Sequence, residues 1–211
     1  PRRDRGPVRR AEACVVARRQ HPSGRTQTAG DRWPGQADGG RARLRSFRAV
    51  IIARPTAQFA FSHPAHFIAL GFGAGLSRFA PGTAGTLVAF PLWWAIGGGY
   101  EPLELLAFLA LLFGVGIWAC ELTGRHLGVS DHGAMCWDEI VAFLLILAIT
   151  PQDPWWQAAA FFLFRAFDVV KPPPIRQLEM RFKGGFGVMF DDLLAAGYTL
   201  LVLAIVKRIF L

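Results

Sequence analysis

The alternation of apolar runs with polar segments is what most limits the folds open to this chain. The runs are rich in Leu, Ala and Phe, and few positions alternate apolar with polar residues as strands do. They cover residues 79–100, 105–120, 140–150, 155–164 and 193–206. This pattern predicts an all-α fold. Spanning a bilayer takes roughly 20 apolar residues, so most runs are marginal spans and a soluble bundle of buried helices remains an alternative.

The formal charge of +8 belongs to the first part of the chain. Residues 1–58 hold 14 Lys and Arg against 4 acids, a net charge of +10, whereas residues 59–211 hold 9 against 11, a net charge of −2. Residues 1–58 are rich in Arg, Gly and Pro and show no sustained apolar period, so we predict a disordered tail followed by one domain. Such a tail could bind RNA or anionic lipid, or be a leader, but we expect no nucleic-acid partner for the mildly acidic domain.

Charge placement favours a multi-pass membrane bundle of about four to five apolar helices. If the runs form hairpins, three polar segments, at 71–86, 131–139 and 165–192, lie on one side of the bundle. The turns near residues 101 and 152 then lie on the other side and carry no Lys or Arg. This asymmetry matches the positive-inside rule, so the polar segments are expected to face the cytoplasm. Lys207 and Arg208, which follow the last run, do not fit the pattern.

Six acidic residues lie at the edges of apolar runs, where a carboxylate is costly unless it binds a cation, pairs with a base or lines a water-filled cavity. They are Asp131, Asp138, Glu139, Asp168, Asp191 and Asp192. In a helix, Asp131 and Asp138 would share a face with Glu139 beside them. Alternatively, Asp131 caps a helix whose positive end the other two favour. Repulsion among so many carboxylates indicates a hard divalent cation, with magnesium as the default.

The third polar segment adds bases and a glycine-rich turn to these acids. Arg165, Asp168 and Lys171 stand three residues apart, which predicts one helical ridge that the prolines at 172–174 end. A simple salt-bridged helix end is the alternative. Lys183 and the glycines after it could bind phosphate, and beside carboxylates they indicate metal-assisted phosphoryl chemistry. The glycines of the first polar segment could bind phosphate as well, but close helix packing explains them better.

Four stretches, in this order, resemble the signatures of the bacterial phosphatidylglycerophosphatase A family. They are GFGAGLSRFAPGTAGT at 71–86, DHGAMCWDE at 131–139, FRAFDVVKPPPIR at 164–176 and KGGFGVMFDD at 183–192. Four matches in order are highly specific, and the resemblance runs from about residue 63 to about residue 197. Arg78 and Pro173 stand where the family usually has Pro and Trp, and Glu179 replaces an Asp.

The resemblance implies an enzyme of the bacterial inner (cytoplasmic) membrane that uses magnesium to hydrolyse the phosphomonoester of its phospholipid substrate, phosphatidylglycerophosphate. On this interpretation some of Asp138, Glu139, Asp168, Asp191 and Asp192 hold the metal, and one remaining carboxylate, Asp131 included, acts as general base. The residues expected to contact the substrate are Arg165, Lys171, Arg176, Lys183, Ser77 and Thr83.

Two other kinds of chemistry are alternatives to metal-assisted hydrolysis. The chain has neither a Cys-x5-Arg loop nor a DxDx[TV] motif, so no covalent phosphoenzyme is expected. A small membrane transporter or ion-conducting subunit could use the same carboxylates. The position of the acids at run edges and the lack of an inverted repeat between the two halves speak against it.

Overall fold

The computed structural model describes residues 54–96, 100–173 and 175–210, and within these ranges every regular element is a helix. The all-α prediction is therefore confirmed for the described residues. The predicted disordered tail lies outside them up to residue 53. The helices are α1 (Ala57–Ser62), α2 (Pro64–Ala69), a 3₁₀ segment (Gly71–Leu76), α3 (Pro81–Ile96), α4 (Pro102–Leu127), α5 (Trp137–Ile149), α6 (Pro154–Val170), α7 (Ile175–Arg181) and α8 (Gly184–Phe210).

Local sequence signals account for the ends of the long helices. Glu101 and Glu104 form a capping box around Pro102 at the start of α4, and Gly128 ends that helix in the left-handed conformation, with φ 73°. At the start of α6, the Asp153 carboxylate accepts a hydrogen bond from the Trp155 N–H at 2.9 Å. The prolines at 172–174 stop α6 as predicted, since its last residue is Val170.

Helix α5 is the centre of the bundle. Ten of its 13 residues are buried, from Trp137 at its start to Leu147 near its end. It packs against α3, α4, α6 and α8. A helix that is apolar on all sides buries its whole apolar surface only when other helices surround it. Helix α5 occupies such a position. The acids Asp138 and Glu139, in its first turn, are therefore carried into the interior.

The long helices alternate in direction, so the polar segments meet at one end of the bundle. The first turn of α5 contacts the last turn of α6 through Glu139 and Arg165. At the opposite end, the Trp93 indole N–H donates to the Gln152 side chain at 2.8 Å, which joins the end of α3 to the α5–α6 turn. We call the end formed by the first turns of α3, α5 and α8 and the last turns of α4 and α6 the polar end.

One prediction about helix limits was wrong. Residues 128–136 form turns rather than helix, because Gly128 ends α4 and the Cys136 N–H donates to the Ala69 carbonyl instead of to a residue of its own helix. Asp131 therefore neither shares a helix with Asp138 nor caps α5, whose N-cap is Cys136. Helix α8 begins at Gly184, so Asp191 lies about two turns inside a helix and not at the edge of one.

Within the described parts of the chain, two helices are long and apolar enough to cross a membrane. They are α4, with a mean hydropathy of 2.2, and residues 184–209 of α8, with 1.8. At 1.5 Å per residue each is about 39 Å long, against roughly 30 Å for the hydrocarbon core of a bilayer. Large apolar side chains lie exposed around the bundle, among them Leu103, Trp94 and Trp155. The fold thus has the apolar surface of a membrane-associated protein.

Candidate active site

An ion-pair chain joins α5 to α6 at the polar end. The Arg165 Nη1 lies 2.9 Å from Glu139 Oε1 and 2.8 Å from Asp168 Oδ2. All three side chains are largely shielded, with 18%, 11% and 13% of their surface exposed. A guanidinium between two carboxylates holds both in fixed positions and offsets their repulsion. Arg165 and Asp168 lie along one ridge of α6 as predicted, and their ion pair matches the salt-bridged helix end that was the alternative. Lys171 is the C-cap and lies outside the helix, and Glu139 is a further partner of Arg165 from another helix.

Helix α8 contributes two more carboxylates to the same region. Asp191 Oδ2 accepts a short hydrogen bond from the Lys171 ammonium, which lies at the end of α6. Asp192 is buried, with 3% of its surface exposed, and experiences the negative charges of Asp138, Asp168, Asp191 and Glu139. Acids that stand up to 54 residues apart in the sequence thus act on one another in the fold.

The cluster carries more negative than positive charge. Five carboxylates, those of Asp138, Glu139, Asp168, Asp191 and Asp192, surround the two bases Arg165 and Lys171. Within the described residues, the buried atoms Glu139 Oε2 and Asp192 Oδ2 have no hydrogen-bond partner. A buried carboxylate oxygen without a partner is costly, and a hard cation with oxygen ligands would remove that cost. Carboxylate oxygens of this kind are the ligands that magnesium prefers.

The described part of the chain holds no ready set of three Asp, Glu, His or Cys side chains close enough to share one ion. In this geometry Arg165 and Lys171 occupy carboxylate oxygens that a cation would use. Binding a metal would therefore need these acids to turn from their bases toward the ion.

Glycines bring α3 against the start of α5. A Cβ atom at Gly82 would lie 1.9 Å from Glu139 Oε1, and one at Gly85 would lie 2.6 Å from the Cys136 Cβ. In the 3₁₀ segment, a Cβ at Gly75 would lie 1.9 Å from the Ala134 carbonyl oxygen. Only glycine permits such approaches, so the first polar segment supports the acids by close packing.

Cys136, beside the acids, is not equipped to act as a nucleophile. Burial raises the pKa of its thiol, and the negative charges of Asp138 and Glu139 raise it further. A thiol of this kind stays protonated and behaves as a small apolar group.

The remaining predicted site residues lie around the cluster. Asp131 is exposed in the turn before α5, and its charge acts on Asp138. Ser77 and Thr83 are half-buried, and the Ser77 hydroxyl donates to the Phe79 carbonyl at 2.7 Å. Lys183 is exposed just before α8. The side chain of Arg176 lies outside the described residues. Contact between these residues and a substrate stays a prediction.

Glu121 is a residue of the polar end that the sequence analysis did not identify. Its Oε2 accepts a hydrogen bond from the Gly185 N–H at 2.8 Å, and its Oε1 lies 2.8 Å from Arg125 Nη2. The backbone donor of the KGG turn that was expected to face phosphate is thus taken by a carboxylate. The spacing of Glu121 and Arg125, four residues apart at the end of an apolar run, was the available signal.

Two histidines and a threonine join α2 to the end of α4. The Thr123 hydroxyl donates to the Ala65 carbonyl at 3.4 Å, so it accepts from His66 Nδ1 at 3.0 Å. His66 Nε2 then accepts from His126 Nδ1, also at 3.0 Å. This chain of hydrogen bonds requires neutral His66. Burial lowers the pKa of His66, and the neighbouring His126 and His63 lower it further.

Acidification is expected to weaken the α2–α4 contact. Because the pKa of His66 is lower in the folded chain than its ordinary value near 6.5, the stabilisation is fully present above about pH 6.5 and is lost as the pH falls through the folded value. The thermal unfolding midpoint in detergent should fall by roughly 2–4 °C more in the wild type than in His66→Gln between pH 8 and pH 5. Equal falls in both proteins would contradict this account.

One cavity lies away from the acids. It has a volume of about 660 Å³ at the opposite end of the bundle, where Trp93, Tyr100, Leu109 and Ile149 line it. Its walls are mostly apolar and hold none of the predicted site residues. This cavity is therefore separate from the acids of the polar end.

Comparison with known proteins finds relatives that match most of the chain. A model of the phosphatidylglycerophosphatase A family matches residues 67–207. The chain is 42% identical to a phosphatidylglycerophosphatase A of Haemophilus influenzae over 149 residues, which cover 70% of this chain and 91% of that protein. It is 40% identical to one of Escherichia coli over 136 residues, covering 64% and 78%. No solved structure matches the chain significantly.

Proposed function

The chain belongs to the phosphatidylglycerophosphatase A family and is a phosphatase, and from that premise we propose that it hydrolyses the phosphomonoester of phosphatidylglycerophosphate to phosphatidylglycerol and phosphate. The observation that carries the proposal is the gathering of five carboxylates and two bases at one end of the bundle. The family match covers all of α5 and α6 and all but the last three residues of α8, the helices that supply them. The ion-conducting alternative loses its support because the relatives are named as phosphatases.

Magnesium is the proposed cofactor, and its proposed ligands are some of Asp138, Glu139, Asp168, Asp191 and Asp192. The partnerless buried oxygens of Glu139 and Asp192 support this assignment. When bound, the ion would supply charge neutralisation for the phosphate and increase the acidity of an attacking water molecule. Binding would also reduce the repulsion among the five carboxylates, which only two bases now offset.

Carboxylates of the chain accept the proton, and its basic side chains hold the phosphate. Water attacks phosphorus in line, a new P–O bond forms, and the bond from phosphorus to the lipid glycerol oxygen breaks. The carboxylate of Asp138 or Asp192 takes the proton from the water, since neither belongs to the ion pairs described above. Both ion pairs of Arg165 use Nη1, and its guanidinium also carries donors on Nε and Nη2 that can hold the phosphate. Lys171 and Lys183 offset the charge of the leaving oxygen.

We also propose that the domain is a multi-pass bundle of the inner membrane whose polar end faces the cytoplasm. Helices α4 and α8 have the length and hydropathy of spans. Arg125, Arg165, Lys171 and Lys183 lie at the polar end, whereas the turns at the other end hold no Lys or Arg among the described residues. Lys207 and Arg208, at the end of α8, would then lie at the far interface, where long side chains can reach water.

The test is phosphate release by the detergent-purified protein. The wild type should release phosphate from phosphatidylglycerophosphate with Mg²⁺, and excess chelator should abolish release until Mg²⁺ is restored. A soluble phosphomonoester such as glycerol 3-phosphate, at the same concentration, should react much more slowly because it lacks the lipid chains. Release that is unaffected by chelator would contradict the metal, and equal rates on both substrates would contradict the lipid substrate.

A further inference from the structure

We propose that Glu121 is a positioning residue for the phosphatase reaction, an interhelical cap that sets the register of α8 and thereby the placement of Asp191 and Asp192. The proposal rests on the proposed function, since it assigns Glu121 a role through two of the proposed metal ligands. Glu121 lies on α4 and contacts neither acid directly in the recorded hydrogen bonds. Its effect passes through the backbone of α8.

The first contact is the cap itself. The N–H groups at the start of a helix have no partner in the helix, and the helix dipole places positive charge there. The Glu121 carboxylate accepts the Gly185 N–H at 2.8 Å, and only 30% of this side chain is exposed. A negative group from a neighbouring helix thus stabilises the start of α8 and fixes it against α4.

Close contacts at glycines near this hydrogen bond fix the position of α8 along α4. A Cβ at Gly185 would lie 2.1 Å from the Ile117 carbonyl oxygen, and a Cβ at Gly184, whose φ is +79°, would lie 2.4 Å from Glu121 Oε2. One turn further along, a Cβ at Gly116 would lie 2.5 Å from Met189 Sδ. The backbone of α8 therefore lies against the backbone of α4 at Gly185, and the Met189 side chain packs over Gly116. A shift of α8 along its axis would disturb both contacts.

The acids follow directly beyond this contact. Asp191 is two residues after Met189, and Asp192 is seven residues, close to two turns, after Gly185. A shift of α8 by one residue would move each carboxylate by about 1.5 Å along the axis and rotate it by about 100° around it. Either change removes Asp192 from the charges of Asp138 and Glu139, which it now faces.

Substitutions can separate the effects of the two contacts of Glu121, the hydrogen bond from the Gly185 N–H and the ion pair with Arg125. Glu121→Ala loses both the cap and the ion pair with Arg125, whereas Glu121→Gln keeps an oxygen that can accept from Gly185 and loses the charge. Arg125→Ala loses only the ion pair, whose arginine is 60% exposed and contributes little. Glu104→Ala is the matched control, because it removes a capping acid from the other end of the same helix.

The experiment compares kcat and KM for phosphatidylglycerophosphate, together with the dissociation constant for Mn²⁺ measured by electron paramagnetic resonance without substrate. Glu121→Ala should lower kcat about 10-fold or more and raise that dissociation constant, with KM within about twofold of the wild type. Glu121→Gln should recover most of kcat, and Arg125→Ala and Glu104→Ala should resemble the wild type. Equal defects in the Gln and Ala variants, or a normal kcat in Glu121→Ala, would overturn the proposal.

The same measurements distinguish this proposal from the proposed function. If the wild type ignores Mg²⁺, the cofactor assignment fails, and the kcat comparison among the variants still decides the role of Glu121. If Glu121→Ala does not fold, Glu121→Gln decides, because its side chain has the same shape as that of glutamate. A Gln variant that folds normally and shows the full loss of kcat would refute the cap as the source of the effect.

Discussion

Asp192→Asn is expected to lower kcat on phosphatidylglycerophosphate by about 10²- to 10⁴-fold without loss of the fold. Asp192 is buried among four other carboxylates, and its Oδ2 has no hydrogen-bond partner within the described residues. An amide of the same shape removes a negative charge that costs stability and removes with it a ligand or base that the reaction needs. The stability of the variant should therefore equal or exceed that of the wild type, as measured by thermal unfolding in detergent.

Asp138→Asn should have the same effect, since Asp138 is buried at the start of α5 and belongs to the same group of charges. The matched control is Asp153→Asn. Asp153 caps α6 at the other end of the bundle, and Asn caps helices equally well, so its activity and stability should stay near those of the wild type. Near-normal kcat in both Asp138→Asn and Asp192→Asn would end the proposal of a shared site.

The second large effect is expected from Gly82→Ala, which adds one carbon atom. That atom would lie 1.9 Å from Glu139 Oε1, the oxygen that accepts from Arg165, so either Glu139 or α3 must move. The loss of kcat should be about 10- to 100-fold, as for other groups that hold the residues of a metal site in place. Overpacking should also lower the free energy of unfolding by about 1–3 kcal/mol.

Gly114→Ala provides the comparison for Gly82→Ala. Gly114 lies in the middle of α4, and no atom outside its own turn lies within 4 Å of a Cβ placed there. Alanine in a helix interior is favoured over glycine by about 1 kcal/mol, so this variant should be at least as stable as the wild type and fully active. If the two glycine variants have the same activity, the contact between Gly82 and Glu139 does not matter for the reaction.

Much of this architecture could be predicted from the sequence, because consecutive apolar helices form hairpins. Apolar runs of alternating direction had to bring the polar segments to one end, and the structure places Glu139 beside Arg165 and Lys171 beside Asp191. The stop of α6 before its three prolines followed from the chemistry of proline alone. These features depend on periodicity and on local rules that a single sequence contains.

The rest depended on contacts between distant residues. The glycine-rich KGG turn reads locally as a loop that could bind phosphate, yet α8 starts there because Glu121, 64 residues earlier, caps it. Asp131 reads locally as part of a helix, yet the Cys136 N–H is drawn to the Ala69 carbonyl and the helix starts later. In both cases the competing partner comes from another helix, and local propensity cannot indicate it.

Direct binding of a divalent cation tests the central claim, that acids from α5 and α8 form one metal site. Mn²⁺ is a suitable probe, since it prefers the same oxygen ligands as Mg²⁺ and its free concentration can be followed by electron paramagnetic resonance. The account predicts that the wild type and Asp153→Asn bind Mn²⁺ in competition with Mg²⁺, and that Asp138→Asn and Asp192→Asn each bind it at least about 10-fold more weakly. Equal Mn²⁺ binding by all four proteins would contradict the account.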